Sequence, residues 1–264
     1  MTAPEGRVAL VTGAARGIGA ATVAALAADG WRVVAVDRCA DDPGLPYSLG
    51  TRRELDAVVA AAGPDVIAAE ADTRDGPALA ALIAAAEQRW GGLDAAVAAA
   101  GVIAGGVPAW LLPSDQERAV LDIDLGGVLT LARAAVPALL RRPEPRHGRF
   151  LAVASAAATR GLPMLAAYCA AKAGVTGFVR ALAAELGGTG ITANAVSPGS
   201  TDTPILAESA RLYGLPDAVS FAPQQPLGRL LQPAEVAAVL AFLAGDGGSG
   251  LTGAAIPVDG GLAL

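Results

Sequence analysis

The sequence predicts one α/β domain in which a doubly wound parallel sheet of about seven strands carries helices on both faces. Short apolar runs alternate with longer stretches of helical periodicity, which is the pattern of β-α-β units with right-handed crossovers. A Gly-rich turn follows the first apolar run and opens the first helix. The chain has 264 residues and shows neither an internal repeat nor a low-complexity linker. We therefore expect residues 1–264 to form a single domain.

The elements follow from the apolar pattern in chain order. Strands are predicted at residues 8–12, 32–37, 66–69, 95–99, 149–153, 192–196 and 254–258. Helices are predicted from the Gly-rich turn to about residue 29 and at residues 52–62, 76–90, 114–140, 165–186 and 233–243. Pro and Gly concentrate at 197–232, which predicts a long, mobile substrate loop rather than a domain boundary.

The composition excludes several classes of protein. The net charge is −6 and the arginines are dispersed, so we expect no nucleic-acid surface. Charges and glycines interrupt the apolar stretches, and residues 1–6 are short and polar, so neither a membrane span nor a secretory leader is expected. The two cysteines, Cys39 and Cys169, are far apart in sequence, which fits a reduced, cytoplasmic setting. The only histidine, His147, has no neighbouring ligands, so no metal site is expected.

Lys172 is the only lysine in a chain with 19 basic residues. Tyr168 precedes it by four positions, so both side chains share one face of the predicted helix. An ammonium beside a phenol favours the phenolate and allows proton exchange nearer neutral pH. Ser155 ends a predicted strand, where its hydroxyl could hold a carbonyl or alkoxide oxygen for the tyrosine. For an isolated pair a solvated helix face would be the alternative, and the spacing to Ser155 favours a proton-transfer site.

The Gly-rich turn contains Gly13, Gly17 and Gly19, which are spaced more widely than in the usual G-x-G-x-x-G motif. Such a turn lets the backbone approach a pyrophosphate, which then sits on the N-terminus of the following helix. Many tight strand–helix turns also use glycine, so the turn alone is a moderate indication of a dinucleotide site.

Carboxylates follow two of the predicted strands. Asp37 ends the second strand, where a carboxylate would bind the ribose hydroxyls of NAD and repel the 2′-phosphate of NADP. The neighbouring Arg38 could weaken that preference. Asp72 follows the third strand and could accept a hydrogen bond from the adenine amine, or simply serve as a turn residue. The sequence therefore favours NAD as cofactor.

Together these motifs resemble the short-chain dehydrogenase/reductase family over nearly the whole chain. The matching motifs are Thr12-Gly13-x-x-x-Gly17-x-Gly19, Asp37, Asp72, Ser155, Tyr168-x-x-x-Lys172, Asn194-Ala195-Val196-Ser197-Pro198-Gly199 and Val258-Asp259-Gly260-Gly261. The resemblance implies a Rossmann-type fold, with Tyr168 as general acid/base, Ser155 as its catalytic partner and Lys172 also binding the nicotinamide ribose. The cofactor-binding residues that it implies are Gly13, Arg16, Gly17, Ile18, Gly19, Asp37, Arg38, Asp72, Thr73, Gly101, Tyr168, Lys172, Pro198, Gly199, Thr201 and Thr203.

The chain departs from the family pattern at two places. The Asn-Asn-Ala-Gly stretch of the family is Ala98-Ala99-Ala100-Gly101 here, which removes an amide that ties the central strand to its neighbours. The fourth catalytic residue of the family is an Asn, and this chain has Asp124 in its place. A charged carboxylate there would raise the pKa of Lys172 and weaken its effect on Tyr168. We predict that the proton relay survives in altered form; a crippled enzyme is the alternative.

The segment between Asp37 and Asp72 is longer than the usual connection of the family. Residues 38–51 resemble the insertion of mycofactocin-associated short-chain dehydrogenases, with the same Asp-Arg-Cys-Ala-Asp-Asp wording. The resemblance implies that the insertion lies near the cofactor and keeps NAD bound, with mycofactocin as the external electron acceptor. An ordinary surface insertion is the alternative.

The sequence thus predicts an NAD-dependent oxidoreductase that interconverts an alcohol and a carbonyl. Val102, Ile103, Leu162, Met164 and the loop 201–221 are expected to form an apolar pocket for a small hydrophobic alcohol. The family resemblance also implies a homotetramer. The alternatives are an ordinary dehydrogenase with freely exchanging NAD(H), or a dinucleotide-sensing protein without catalysis.

Overall fold

The sheet has the predicted architecture. A computed structural model describes residues 6–264. The prediction that residues 1–6 are not a secretory leader concerns residues outside this range, except for Gly6. The strands are β1 Val8–Thr12, β2 Arg32–Asp37, β3 Val66–Glu70, β4 Ala95–Ala98, β5 Arg149–Val153, β6 Thr192–Pro198 and β7 Ala255–Val258. All pair in parallel, in the order β3-β2-β1-β4-β5-β6-β7. The strand order reverses at β1, and a crevice for ligands forms there at the carboxyl edge.

Helices cover both faces of this sheet. They are α1 Gly17–Ala28, α2 Arg52–Ala62, α3 Gly76–Trp90, α4 Ser114–Leu121, α5 Gly127–Arg141, α6 Ala166–Glu185, α7 Pro204–Leu212 and α8 Pro233–Ala244. Successive strand residues point to opposite faces. Leu10 and Phe150 therefore pack with α3, α5 and α6, whereas Val11 and Leu151 pack with α1, α2 and α8. Burial on both faces explains why the strands are apolar throughout.

Four strand ends differ from the prediction, those of β3 and β7 by one residue each. Strand β4 ends one residue early, because the backbone N–H groups of Ala99 and Ala100 turn to the Thr12 hydroxyl, at 3.3 and 3.4 Å. Thr12 thereby ties β1 to the loop after β4. Strand β6 continues to Pro198, which pairs with Val258 of β7.

A π-helical turn at Asp122–Gly126 interrupts the helix predicted at 114–140. The segment is helical from Ser114 to Arg141, close to the predicted range, but the π turn within it was not predicted, because apolar periodicity does not reveal a local change of hydrogen-bond register. The turn places Asp124 in the interior with no exposed surface. Helices α4 and α5 and this turn form a 28-residue segment that is long and apolar enough to cross a membrane by length and composition. Half of its most apolar window is buried inside the domain, as in a core helix.

The connection 197–232 contains more regular structure than its Pro and Gly content predicts. It includes α7 and a 3-10 helix at Ala218–Gln224, and Thr201 forms a β-bridge with Leu231. The buried Gln225 side chain accepts from the Ser200 N–H at 2.8 Å and donates to the Arg229 carbonyl at 2.6 Å. These contacts fix the connection over the carboxyl edge of β6.

Candidate active site

A cavity of about 610 Å³ lies at the carboxyl edge of the sheet. We call the part lined by residues 12–73 its N-terminal half and the part lined by residues 155–165, 203–224 and Leu262 its C-terminal half. Tyr168 and Lys172 lie where the two halves meet. Every predicted catalytic and cofactor-binding residue lines this cavity except Asp124, which lies behind Lys172.

The Gly-rich turn shapes the floor of the N-terminal half. Gly13 has φ +68°, and a Cβ there would lie 2.6 Å from the Ala100 backbone. A Cβ on Gly19 would lie 2.0 Å from the Gly13 carbonyl oxygen. Helix α1 begins after Arg16, whose side chain does not cap it. The first amides of α1 therefore remain available for an anion, as a pyrophosphate site requires.

Asp37 lines the N-terminal half at the end of β2. One oxygen of its carboxylate accepts from the Ala15 N–H at 3.0 Å, and the other accepts from the Cys39 N–H at 3.3 Å. These bonds fix the carboxylate between the Gly-rich turn and the start of the insertion. A carboxylate held there is placed to accept hydrogen bonds from ribose hydroxyls.

An ion cluster joins the insertion to the turn after β3. The Arg74 guanidinium donates to Asp72 at 2.9 and 2.6 Å and to Asp42 at 2.8 Å. Arg38 pairs with the same two carboxylates, at 2.5 Å from Asp42 and 3.4 Å from Asp72. Burial would raise the pKa values of Asp42 and Asp72, but hydrogen bonds from the arginines and backbone outweigh it and lower both. The Arg38 charge is thus neutralised, so it does not offset the negative charge of Asp37.

The insertion 38–51 continues from this cluster to the middle of the cavity. The Tyr47 hydroxyl accepts from the Ile103 N–H at 2.8 Å, and burial raises the pKa of Tyr47, so the phenol keeps its proton. Arg16 donates to the Ser48 carbonyl at 3.0 Å, which links the insertion to the Gly-rich turn. Tyr47, Leu49 and Gly50 line the cavity. The insertion therefore forms one wall of the N-terminal half.

Lys172 is 4% exposed and has two oxygen neighbours. Its Nζ donates to the Val153 carbonyl at 3.1 Å and lies 3.2 Å from Asp124 Oδ2. The other Asp124 oxygen accepts from the Val102 N–H at 2.8 Å. Helix α6 places Lys172 one turn after Tyr168, with Nζ 5.6 Å from the centre of the phenol ring. The Lys172 ammonium therefore lies between the Asp124 carboxylate and the Tyr168 ring and interacts with both.

The pKa values of this group follow from burial and mutual charge. Burial raises the pKa of Tyr168, Lys172 opposes the rise, Asp124 adds to it, and a hydrogen bond with Ser155 opposes it. Burial acts to lower the pKa of Lys172, but Asp124 and Tyr168 outweigh it and the pKa is raised. Burial also raises the pKa of Asp124, against the pull of Lys172. Lys172 is thus held as a cation, and part of its effect on Tyr168 is cancelled by Asp124.

Ser155 lies where β5 gives way to a 3-10 turn, Ala156–Ala158. Its hydroxyl oxygen accepts from the Ala157 N–H at 3.1 Å, which orients the side chain towards Tyr168 at the junction of the two halves. The hydroxyl oxygen accepts this bond and keeps its own proton, which it can donate to a substrate oxygen.

The C-terminal half is mostly apolar and includes Tyr213 and Phe221 of the predicted pocket loop 201–221, as well as Arg160, which no sequence motif revealed. The Tyr213 hydroxyl donates to the Pro163 carbonyl at 2.6 Å, and the Tyr213 ring meets Phe221 edge-on at 6.0 Å. The bond to Pro163 joins residues 50 apart in the chain, so no local pattern could have predicted it. The prediction that Met164 lines the pocket is wrong. Met164 has φ +61°, is 37% exposed and does not line the cavity. Val102, Ile103 and Leu162 line the cavity as predicted.

Comparisons with known proteins agree with this geometry. A family model described as enoyl-(acyl carrier protein) reductase matches residues 13–263. The chain is 39% identical to the monensin polyketide synthase putative ketoacyl reductase of Streptomyces virginiae, over 99% of both chains. The solved structure of carveol dehydrogenase from Mycobacterium avium in complex with NAD is similar, with a TM-score of 0.92, 30% identity and 99% of both chains covered. The solved structure of a short-chain dehydrogenase from Mycobacterium paratuberculosis bound to NAD is also similar, with a TM-score of 0.88, 33% identity and 98% of both chains covered.

Proposed function

The chain belongs to the short-chain dehydrogenase/reductase family, and from that premise we propose that it interconverts an alcohol and a carbonyl compound with NAD as hydride carrier. The observation that carries the proposal is the meeting of Ser155, Tyr168 and Lys172 at the centre of one cavity. A phenol with an adjacent buried ammonium is suited to proton exchange with a substrate oxygen.

The residues of the N-terminal half fit NAD. The open N-terminus of α1 and the close backbone approach at Gly13 suit a pyrophosphate, and Asp37 suits the ribose hydroxyls. Asp72 lines the cavity, although both of its carboxylate oxygens accept hydrogen bonds from Arg74. The residues that would hold the cofactor are Gly13, Arg16, Gly17, Ile18, Gly19, Asp37, Arg38, Asp72, Thr73, Gly101, Lys172, Pro198, Gly199, Thr201 and Thr203.

In the direction of alcohol oxidation, Tyr168 takes the proton of the substrate hydroxyl. Ser155 donates a hydrogen bond to the same oxygen and so fixes its position relative to Tyr168. Lys172 stabilises the phenolate by charge, because its pKa keeps it protonated. When bound, NAD supplies the hydride acceptor. In the reverse direction Tyr168 returns its proton to the carbonyl oxygen.

Asp124 acts on this chemistry through Lys172. Its ion pair at 3.2 Å and its bond to the Val102 N–H hold the lysine in place, while its charge reduces the effect of the lysine on Tyr168. We propose that the proton relay operates in this altered form, with phenolate formation favoured at higher pH than a neutral side chain at position 124 would give.

We further propose that NAD stays bound between turnovers and is reoxidised by mycofactocin. Support comes from the insertion, which is tied to the Gly-rich turn through Arg16 and to the loop after β4 through Tyr47. The ion cluster around Asp42 holds its other end. A wall fixed at three points would have to open before the dinucleotide could leave.

The test is the small-molecule content of the purified protein. After extensive dialysis the protein is denatured and its supernatant is analysed by mass spectrometry. Stoichiometric NAD or NADH supports retention, and a reduced mycofactocin product after addition of alcohol would support the external acceptor. An empty protein that binds added NAD and oxidises alcohols would make it an ordinary dehydrogenase. Binding of NAD without oxidation of any alcohol would instead favour the sensing alternative.

We also propose a cytoplasmic homotetramer. The C-terminal edge carries exposed apolar side chains, Phe242, Leu251 and Leu264, which suits burial between subunits. Light scattering behind a sizing column checks the assembly, and a mass close to that of one 26.0 kDa chain would contradict it.

A further inference from the structure

One cation in the C-terminal half has no place in the chemistry above. Arg160 lines this half of the cavity, five residues after Ser155 and eight before Tyr168, among side chains that are mainly apolar. No carboxylate of residues 6–264 lies within 4 Å of its guanidinium. Arg160 is exposed, and it adds the one positive charge to a lining of this half that is otherwise uncharged.

The other cations of the cavity show what such a charge implies. Lys172 and Arg38 are paired with carboxylates of the protein. Arg16 has no acidic partner within the described range, but it lies at the Gly-rich turn, where an anionic pyrophosphate is expected. Arg160 is the corresponding unpaired cation at the opposite end of the cavity. An anionic group of the substrate would be its natural partner.

The Arg160 side chain is positioned rather than loose. Its Nη1 donates to the Leu262 carbonyl at 2.7 Å, which joins it to the C-terminal segment. The loop that carries it packs on α6, because the carbonyls of Arg160 and Leu162 both lie 4.0 Å from Cys169 Sγ. One bond uses one of five N–H donors, so an edge of the guanidinium is left for a bidentate acceptor such as a carboxylate.

We infer that Arg160 is a specificity-determining residue that anchors the carboxylate of a hydroxy-acid or keto-acid substrate. This inference rests on the proposed function and narrows it: the apolar lining takes the carbon skeleton, Tyr168 takes the hydroxyl, and Arg160 takes the acid. The substrate is therefore an apolar alcohol with an anionic end rather than a simple hydrophobic alcohol.

The test compares acids with their neutral esters. Cyclohexanol, the 3- and 4-hydroxycyclohexanecarboxylates and their methyl esters are mixed with protein loaded with NAD. NADH formation is followed at 340 nm in the first turnover, so exchange of the cofactor is not required. We expect the wild-type rate constant at low substrate concentration to favour an acid over its ester by about 30-fold, as a charge-assisted bidentate pair allows.

Two variants and a control assign the preference. Arg160→Met should lower the rate with the acid about 30-fold and change the rates with the ester and cyclohexanol by less than about twofold. Arg160→Lys should retain part of the preference for the acid, because it keeps the positive charge but loses the planar pair of N–H donors that matches a carboxylate. Arg118→Met removes an exposed arginine outside the cavity and controls for the change in net charge. Equal rates for acid and ester in the wild type, or an unchanged preference in Arg160→Met, would overturn the inference.

A binding measurement separates this inference from the proposed function. If neutral alcohols reduce the bound NAD and acids show no advantage, only the role of Arg160 fails. If no alcohol is oxidised, the proposed function fails, and calorimetric titration with cyclohexanecarboxylate decides the role of Arg160. Binding that Arg160→Met weakens at least tenfold would support the anion site, whereas equal binding by both proteins would contradict it.

Discussion

The two halves of the cavity use charge in opposite ways. In the N-terminal half, Arg38, Asp42, Asp72 and Arg74 neutralise one another in a single cluster. In the C-terminal half the lining is apolar, and Arg160 has no carboxylate partner among residues 6–264. The insertion wall of the first half has its charges paired before any ligand binds, whereas the second half leaves the charge of Arg160 without a carboxylate partner among the described residues.

This difference separates two tasks of one site. A cluster of mutually paired charges stabilises the wall that faces the dinucleotide and gives it a fixed shape. Arg160 is instead inferred to select among substrates, because an anionic group of the ligand can pair with its guanidinium. Between the halves lie Tyr168 and Lys172, the proposed catalytic residues. The following predictions test how far these roles can be separated.

The largest effect is expected at the junction of the two halves. Tyr168→Phe removes the group that exchanges the proton, so turnover should fall by a factor of about 10³ or more while bound NAD remains. Stopped-flow NADH formation and mass spectrometry of the released cofactor give both values. Tyr213→Phe is the matched control, since it loses only the bond to the Pro163 carbonyl and should lose less than about tenfold. Similar losses in both variants would contradict the role of Tyr168.

A smaller effect is expected from the carboxylate at the end of β2. Asp37→Asn keeps an acceptor for the Ala15 N–H and removes the charge that repels a 2′-phosphate. We expect the preference of cofactor-free protein for NAD over NADP to fall by about 30-fold, the size of a charge-assisted hydrogen bond. Calorimetric titration with both dinucleotides measures it. Asp65→Asn, an exposed position outside the cavity, is the control, and an unchanged preference in Asp37→Asn would rule out this role.

Removal of the charge of the buried Asp124 is expected to change the rate of alcohol oxidation at low pH by about tenfold. Asp124 raises the pKa of Tyr168, so Asp124→Asn should lower that pKa and move the acidic limb of alcohol oxidation to lower pH. The pH–rate profile of single-turnover oxidation tests this. Asp122→Asn changes an exposed carboxylate in the same π turn and should leave the profile in place. An unmoved profile in Asp124→Asn would show that the charge has no such effect.

The smallest effect is expected at the wall of the N-terminal half. Asp42→Asn weakens the bonds to Arg38 and Arg74, so release of NAD should become about fivefold faster, as for the loss of one partly buried ion pair. Release is measured by trapping free NAD with a coupled enzyme. Arg74→Met should act similarly, and the double variant should be no worse than either single one. Additive effects would mean that the two residues do not form one cluster.

The same cluster gives a pH dependence with a defined sign. The pKa of folded Asp42 is below its ordinary value, so the pairing stabilises the fold above that ordinary value and is lost as pH falls through the folded pKa. Release of NAD should therefore accelerate only in acid below about pH 4. Asp42→Asn should lack this acceleration, because it has no proton to take up at that position.

The sequence predicted the N-terminal half much better than the C-terminal half. Gly13, Asp37 and Tyr168 lie within local patterns of strand, turn and helix, so spacing alone placed them on one sheet edge. Arg160 and Tyr213 line the cavity through contacts with the C-terminal segment and the loop before α6, which local periodicity does not encode. The π turn around Asp124 was missed for a related reason, since its residues are compatible with an ordinary helix and only packing decides the register.

The burial of Lys172 also provides a spectroscopic probe. Because it is the only lysine, protein grown with lysine labelled at the side-chain nitrogen has a single labelled ammonium, and that ammonium is at the proposed catalytic centre. Its nitrogen resonance would report the protonation of the Asp124–Lys172–Tyr168 group without assignment experiments. Amine-reactive reagents should likewise leave this side chain unmodified while the domain is folded. Loss of that protection would give a chemical measure of local opening.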